Sequence, residues 1–141
     1  MTAPTGDARQ PAPGLSALVV FRGAATGLLL AMPAAFASSV LSAQTPKPRA
    51  AINISFLIVM IGFGLAGWLA GREAPSQVAK HGALAALVAF IPVEVVAVLG
   101  RLDRGAPVGI GAIVIIGLFA ACMGTIGSRI GARKRNWEEL G

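Results

Sequence analysis

Charge is scarce in this chain: 13% of its 141 residues are Asp, Glu, Lys or Arg, about half the roughly one quarter usual in soluble domains. A globular surface facing water on all sides is thereby excluded. Cysteine is nearly absent too. Cys122 stands alone inside an apolar run, so no intramolecular disulfide can form, and its expected role is that of a small packing residue. His81 is the one histidine, and with no second histidine or nearby Cys or Asp no metal-ligand spacing exists; beside a basic loop it reads as an interfacial polar residue. A nucleophile paired with a base, a P-loop, a dinucleotide-binding glycine fingerprint and a His-Glu-x-x-His motif are all missing from the sequence. The expectation is a protein without enzymatic activity, cofactor or metal.

What the chain has instead is apolar length. Hydrophobic residues make up 55% of it, with a mean hydropathy of +0.75. They gather in four runs, about 23–43, 51–70, 82–100 and 108–127, each near the ~20 residues that cross a hydrocarbon core as a helix. The predicted fold is an all-α membrane protein: four transmembrane helices in one domain, residues 15–131, between a disordered tail at 1–14 and a basic tail at 132–141. Arg22, the apolar run after it and Ala35-Phe36-Ala37 also follow the order of a cleavable signal peptide, the alternative for the first span.

The net charge of +6 and pI near 11.2 could suggest nucleic acid as a partner. The basic residues, however, sit at the ends of the apolar runs, where they orient a membrane protein and do not build a phosphate-binding face. Arg9, Arg22, Arg72, Lys80, Arg129, Arg133, Lys134 and Arg135 fall on one side, and Lys47, Arg49, Arg101 and Arg104 on the other. The excess places both termini in the cytoplasm of a bacterial inner membrane, with the basic C-terminal tail resting on anionic lipids. Trp68 belongs to the interfacial aromatic belt.

Small residues recur every fourth position. In the first span Gly23, Gly27, Ala31, Ala35, Ser39 and Ala43 form one stripe; in the second, Gly62, Ala66 and Ala70 lie beside Gly67 and Gly71; in the fourth, Gly117 pairs with Ala121, Ala120 with Gly124, and Gly127 with Gly131. In lipid such rows let backbones approach closely, where dispersion replaces the absent hydrophobic drive. Close packing with a second copy or a larger membrane complex is the expected partnership.

The chain also repeats itself. Arg22-Gly23-Ala24 aligns without a gap to His81-Gly82-Ala83, Leu28 to Leu87 and Pro33 to Pro92; Gly67 and Arg72 have counterparts in Gly124 and Arg129. Two tandem helical hairpins follow, expected to be related by an axis along the membrane normal. Against this symmetry one residue stands out, because Glu94 occupies the position of Ala35.

A carboxylate inside a span costs on the order of 2.5–3.5 kcal/mol by insertion scales, so it calls for a partner, a water path or protonation. Counted at 1.5 Å per residue, Glu94 lies about 18 Å from Gly82, with Ser38, Ser39, Asn53 and Ser55 at about 20–27 Å from the same edge. These four are the expected neighbours of Glu94.

From Gly62 to Ile91, GFGLAGWLAGREAPSQVAKHGALAALVAFI, the chain resembles the YrzE-type family of small four-span bacterial membrane proteins, which has no assigned function. The shared features are the glycine-rich span end Gly67–Gly71, Arg72 with a short polar loop, and His81-Gly82 opening the next span; Arg22-Gly23 is similar. Pro92 with Glu94 and the Arg133-Lys134-Arg135 tail depart from that pattern. The resemblance implies four spans and carries over no site residue. The functional expectation is an accessory or interaction subunit, with a small oligomeric transporter or channel built around Glu94, Ser38, Ser39 and Asn53 as the alternative.

Overall fold

The computed structural model describes residues 14–140. The expected disordered tail, apart from Gly14, lies outside them. The fold is all-α, with four helices: α1 (Ala17–Ala43), α2 (Arg49–Glu73), α3 (Val78–Asp103) and α4 (Ile110–Leu140). All four are long and apolar enough to cross a membrane. At 1.5 Å per residue the shortest, α2 with 25 residues, runs about 37 Å, longer than the ~30 Å hydrocarbon core.

Each helix outruns the span read from hydropathy, because hydropathy marks where lipid ends and not where helical hydrogen bonding must stop. The stops are chemical. Pro46 and Pro48 interrupt the chain between α1 and α2, Ala74 turns extended (ψ 122°) ahead of Pro75 after α2, and Gly105 (φ 62°) with Pro107 closes α3; residues before proline leave the helical region, and glycine accepts a positive φ. No proline follows Pro107, so α4 carries the basic cluster as helix to Leu140. Pro33 and Pro92 sit inside α1 and α3, which continue through them.

The helices alternate in direction and pack as a rhombus. α1 and α4 each touch α2 and α3, α2 touches α3 across the short diagonal, and α1 and α4 do not touch. This arrangement corrects the expected symmetry. A two-fold axis along the membrane normal would exchange α1 with α3 and α2 with α4, so a contact between α2 and α3 would require one between α4 and α1. The hairpins are instead related by a sideways shift.

The repeat itself is visible in the contacts. Gly23 of α1 rests on the Ala66 carbonyl and Ala70 of α2, and Gly82 of α3 rests on the Gly124 carbonyl and Ser128 of α4. One turn on, Gly27 meets Gly62 and Ala66, as Ala86 meets Gly124. The second helices therefore correspond as Ala66 to Gly124 and Ala70 to Ser128, one residue away from the alignment of Gly67 with Gly124. Gly67 does meet Gly124, but across the separate α2–α4 seam, where Gly71 also lies on Ser128, and Gly127 and Gly131 on the backbone from Gly64 to Arg72.

Large side chains are few in the core. Phe63 is fully buried and meets Phe90 edge-on at 6.2 Å, and Gly117 faces the Phe90 ring. Small residues supply most of the rest: Ala24, Ala31, Ala66, Ala70, Ala85, Ala86, Ala89 and Ala120 are buried. Cys122 is exposed on α4, directed outward from the bundle, so the expected packing role does not hold for it.

Candidate functional site: a polar vestibule at the hairpin end

The two ends of the bundle differ. One, the terminal end, carries the α2–α3 turn, the start of α1 and the end of α4; the other, the hairpin end, carries the turns at 44–48 and 104–109. Polar side chains serve different purposes at each.

At the terminal end they tie helices together. Arg22 pairs with Glu73 at 3.1 Å and Arg72 with Glu138 at 2.9 Å, while the Arg72 guanidinium lies 5.0 Å from the centre of the Trp68 ring, a cation–π distance. Arg135 donates to the carbonyls of Arg72 (3.2 Å) and Ala74 (2.7 Å), which the end of α2 leaves without helical partners. His81, in the first turn of α3 at this same end, is fully buried. Its Nε2 accepts the Ser16 backbone N–H at 2.9 Å and its Nδ1 lies 3.3 Å from the Gln77 carbonyl. The accepting Nε2 assigns the proton to Nδ1, and the ring anchors the start of α1 to the start of α3.

At the hairpin end a cavity of about 150 Å³ opens between the helices, room for several water molecules. Its upper wall is polar: Ser38, Ser39 and Ser42 from α1 face Glu94 and Arg101 from α3 and Arg104 just past its end. Its floor is apolar, with Ala35, Val59, Met60, Val93 and Ile116.

The repeat explains why these residues converge. Shifting α1 by the 59 positions that separate Pro33 from Pro92 carries Ala35, Ser38 and Ser42 onto Glu94, Ala97 and Arg101, all cavity-lining. The second hairpin differs from the first at all three positions, and two of the new residues, Glu94 and Arg101, are partners. Glu94 Oε1 and Arg101 Nη1 lie 2.9 Å apart, with the Glu94 side chain 11% and the Arg101 side chain 27% exposed.

This pair corrects the expected neighbourhood of Glu94. Residues seven apart share a helix face after two turns, and helical side chains lean toward the N-terminus, so Arg101 reaches back over roughly 10 Å of rise to the carboxylate. Ser38 and Ser39 line the same cavity without a hydrogen bond to Glu94. Ser55 is buried away from it, donating to the Ala51 carbonyl at 3.0 Å on its own helix, and Asn53 is exposed. Neither reaches the vestibule.

The remaining polar groups are unevenly satisfied. Ser42 Oγ donates to the Ser38 carbonyl at 2.7 Å and Arg104 Nη1 to the Ser39 carbonyl at 3.1 Å. The Ser39 hydroxyl sits against Gly100, which a Cβ would block. Among the described residues, the Ser38 and Ser39 hydroxyls and the second Glu94 oxygen have no hydrogen-bond partner. Sequence reasoning missed Arg101, Arg104 and Ser42; the available signal was a base seven residues after the lone intramembrane acid.

Models of known protein families, curated proteins and solved structures were all compared with the chain, and none matches. Its own geometry establishes a small, all-helical, membrane-embedded protein.

Proposed function

We propose that the protein is a non-enzymatic accessory subunit of a bacterial inner membrane, associating with a second copy or a larger membrane complex through its outward helix faces. The supporting observation is the blind vestibule: below Glu94 the polar wall gives way to Ala35, Val59, Met60, Val93 and Ile116. Toward the terminal end the helices meet backbone to backbone at Gly23, Gly27, Gly67, Gly71 and Gly82. Nothing there offers a polar path within one copy. In this reading the terminal end faces the cytoplasm, and Arg129, Arg133 and Lys134, all exposed on α4, rest on anionic headgroups. Kinship with the YrzE-type family is part of the same proposal and rests on the Gly67–Gly82 segment.

An oligomeric transporter is the rival. It would need Glu94 free for an ion and Asn53 in the pathway, whereas Glu94 is paired with Arg101 and Asn53 is not part of the cavity wall. A photocrosslinker at Leu118, 63% exposed on α4, in native membranes is expected to label one defined polypeptide. Purified protein in liposomes is expected to pass neither protons nor cations. A flux abolished by Glu94→Gln would replace the accessory reading with transport.

A further inference from the structure

The vestibule holds more donors than the protein uses. Arg104 lies at its rim with one N–H on the Ser39 carbonyl, and Arg101 commits one N–H to Glu94; a guanidinium carries five donors in a fixed fork. The Ser38 and Ser39 hydroxyls face the same space without an acceptor. Against these, the one unengaged carboxylate oxygen in the wall is the second oxygen of Glu94, while the serine hydroxyls can accept as well as donate. Two cations and one anion leave the wall with an excess of positive charge. Arginine near a helix C-terminus answers the carbonyl ends there, and Arg104 does so through Ser39; that single bond leaves most of its fork free.

We infer that the vestibule is a binding site for a tetrahedral oxyanion, a phosphate group, held by Arg104 and Arg101 with the Ser38 and Ser39 hydroxyls. A tetrahedral anion has enough oxygens to meet two forks and two hydroxyls, and arginine favours such anions because its fork binds two oxygens at once. The cavity of about 150 Å³ accepts a group of that size, and Ser42, Arg101 and Arg104 in its wall belong to the hairpin end of the spans, the level of lipid headgroups for helices longer than the hydrocarbon core. Glu94 then acts as the competing internal anion: it holds Arg101 when the site is empty and releases part of that fork when phosphate enters. This inference stands apart from the accessory reading, since a subunit of either kind could carry the site.

The test uses the full chain in the uncharged detergent dodecyl maltoside. One arm titrates inorganic phosphate by calorimetry; the other measures retention of phosphatidic acid against an uncharged diacylglycerol by native mass spectrometry. Binding of inorganic phosphate assigns the site to a soluble anion, and retention of phosphatidic acid alone assigns it to a lipid headgroup; either supports the proposal. Arg104→Gln is expected to weaken binding about tenfold or more, the value of a charge-assisted contact. The Ser38→Ala/Ser39→Ala double variant, which leaves every charge in place, is expected to weaken it several-fold and serves if Arg104→Gln fails to fold. Glu94→Gln is expected to tighten binding by freeing Arg101. Failure of the wild type to bind either probe, binding indifferent to both the arginine and serine variants, or weaker binding in Glu94→Gln overturns the inference.

Discussion

Glu94 lies nine residues from the end of α3 at Asp103, about 13 Å along the axis, deep enough that an unpaired carboxylate there is costly. Arg101 removes that cost with one bond of 2.9 Å. Removing one member of a buried ion pair is far more damaging than removing both, because the survivor is left charged and unpaired. Arg101→Leu is therefore expected to destabilise the bundle by about 2–3 kcal/mol, somewhat below the ~3–5 of a fully dry pair because the cavity admits water. Glu94→Leu/Arg101→Leu is expected to recover most of the loss, as read by thermal unfolding of the protein in detergent. Additive losses would contradict the pairing. The acid was legible in the sequence as the one carboxylate within an apolar run; its partner was not. Arg101 falls past the hydropathy boundary of the third span, in a stretch that reads as loop, and only the helix continuing to Asp103 places it on the face of Glu94.

Helix against helix, the decisive contacts are made by what side chains lack. A Cβ on Gly67 would run into the Gly124 backbone, whereas one on Gly64 would meet only the end of the Met123 side chain at 3.8 Å. Gly67→Ala is expected to destabilise by about 1–3 kcal/mol through overpacking. Gly64→Ala is expected to be neutral or stabilising by up to about 1 kcal/mol, since alanine restricts the unfolded backbone and is the better helix former. Thermal midpoints of the two variants check the contrast, and equal effects would break it. The rows of small residues at Gly23, Gly27, Gly62, Gly67, Gly71 and Gly124 were readable from spacing, and all six lie in helix contacts. Which row meets which neighbour was not readable. Gly67 and Gly71 face α4, while Gly62 and Ala66 face α1, because α2 sits on the short diagonal of the rhombus and must pack on more than one side.

For the molecule as a whole, the sideways relation of the hairpins keeps α1 parallel to α3, and both helices line one cavity. Such a shift leaves both hairpins in the same membrane orientation, so the charge imbalance of the loops acts on them in concert. A reporter fused after Arg135 is expected to be cytoplasmic and one inserted at Lys47 to lie outside; the opposite result would invert the proposed orientation and place the vestibule on the cytoplasmic side. The sequence by itself determined four membrane spans, the tandem repeat and the odd carboxylate. These follow from hydropathy and residue spacing, which are local properties that sum along the chain. Tertiary structure alone decided that the hairpins are shifted and not rotated, that His81 is buried against Ser16, and that Glu94 meets Arg101 beside three serines. Those outcomes depend on how each helix is turned about its axis, and with small residues on several faces of every helix more than one turn would satisfy the local pattern.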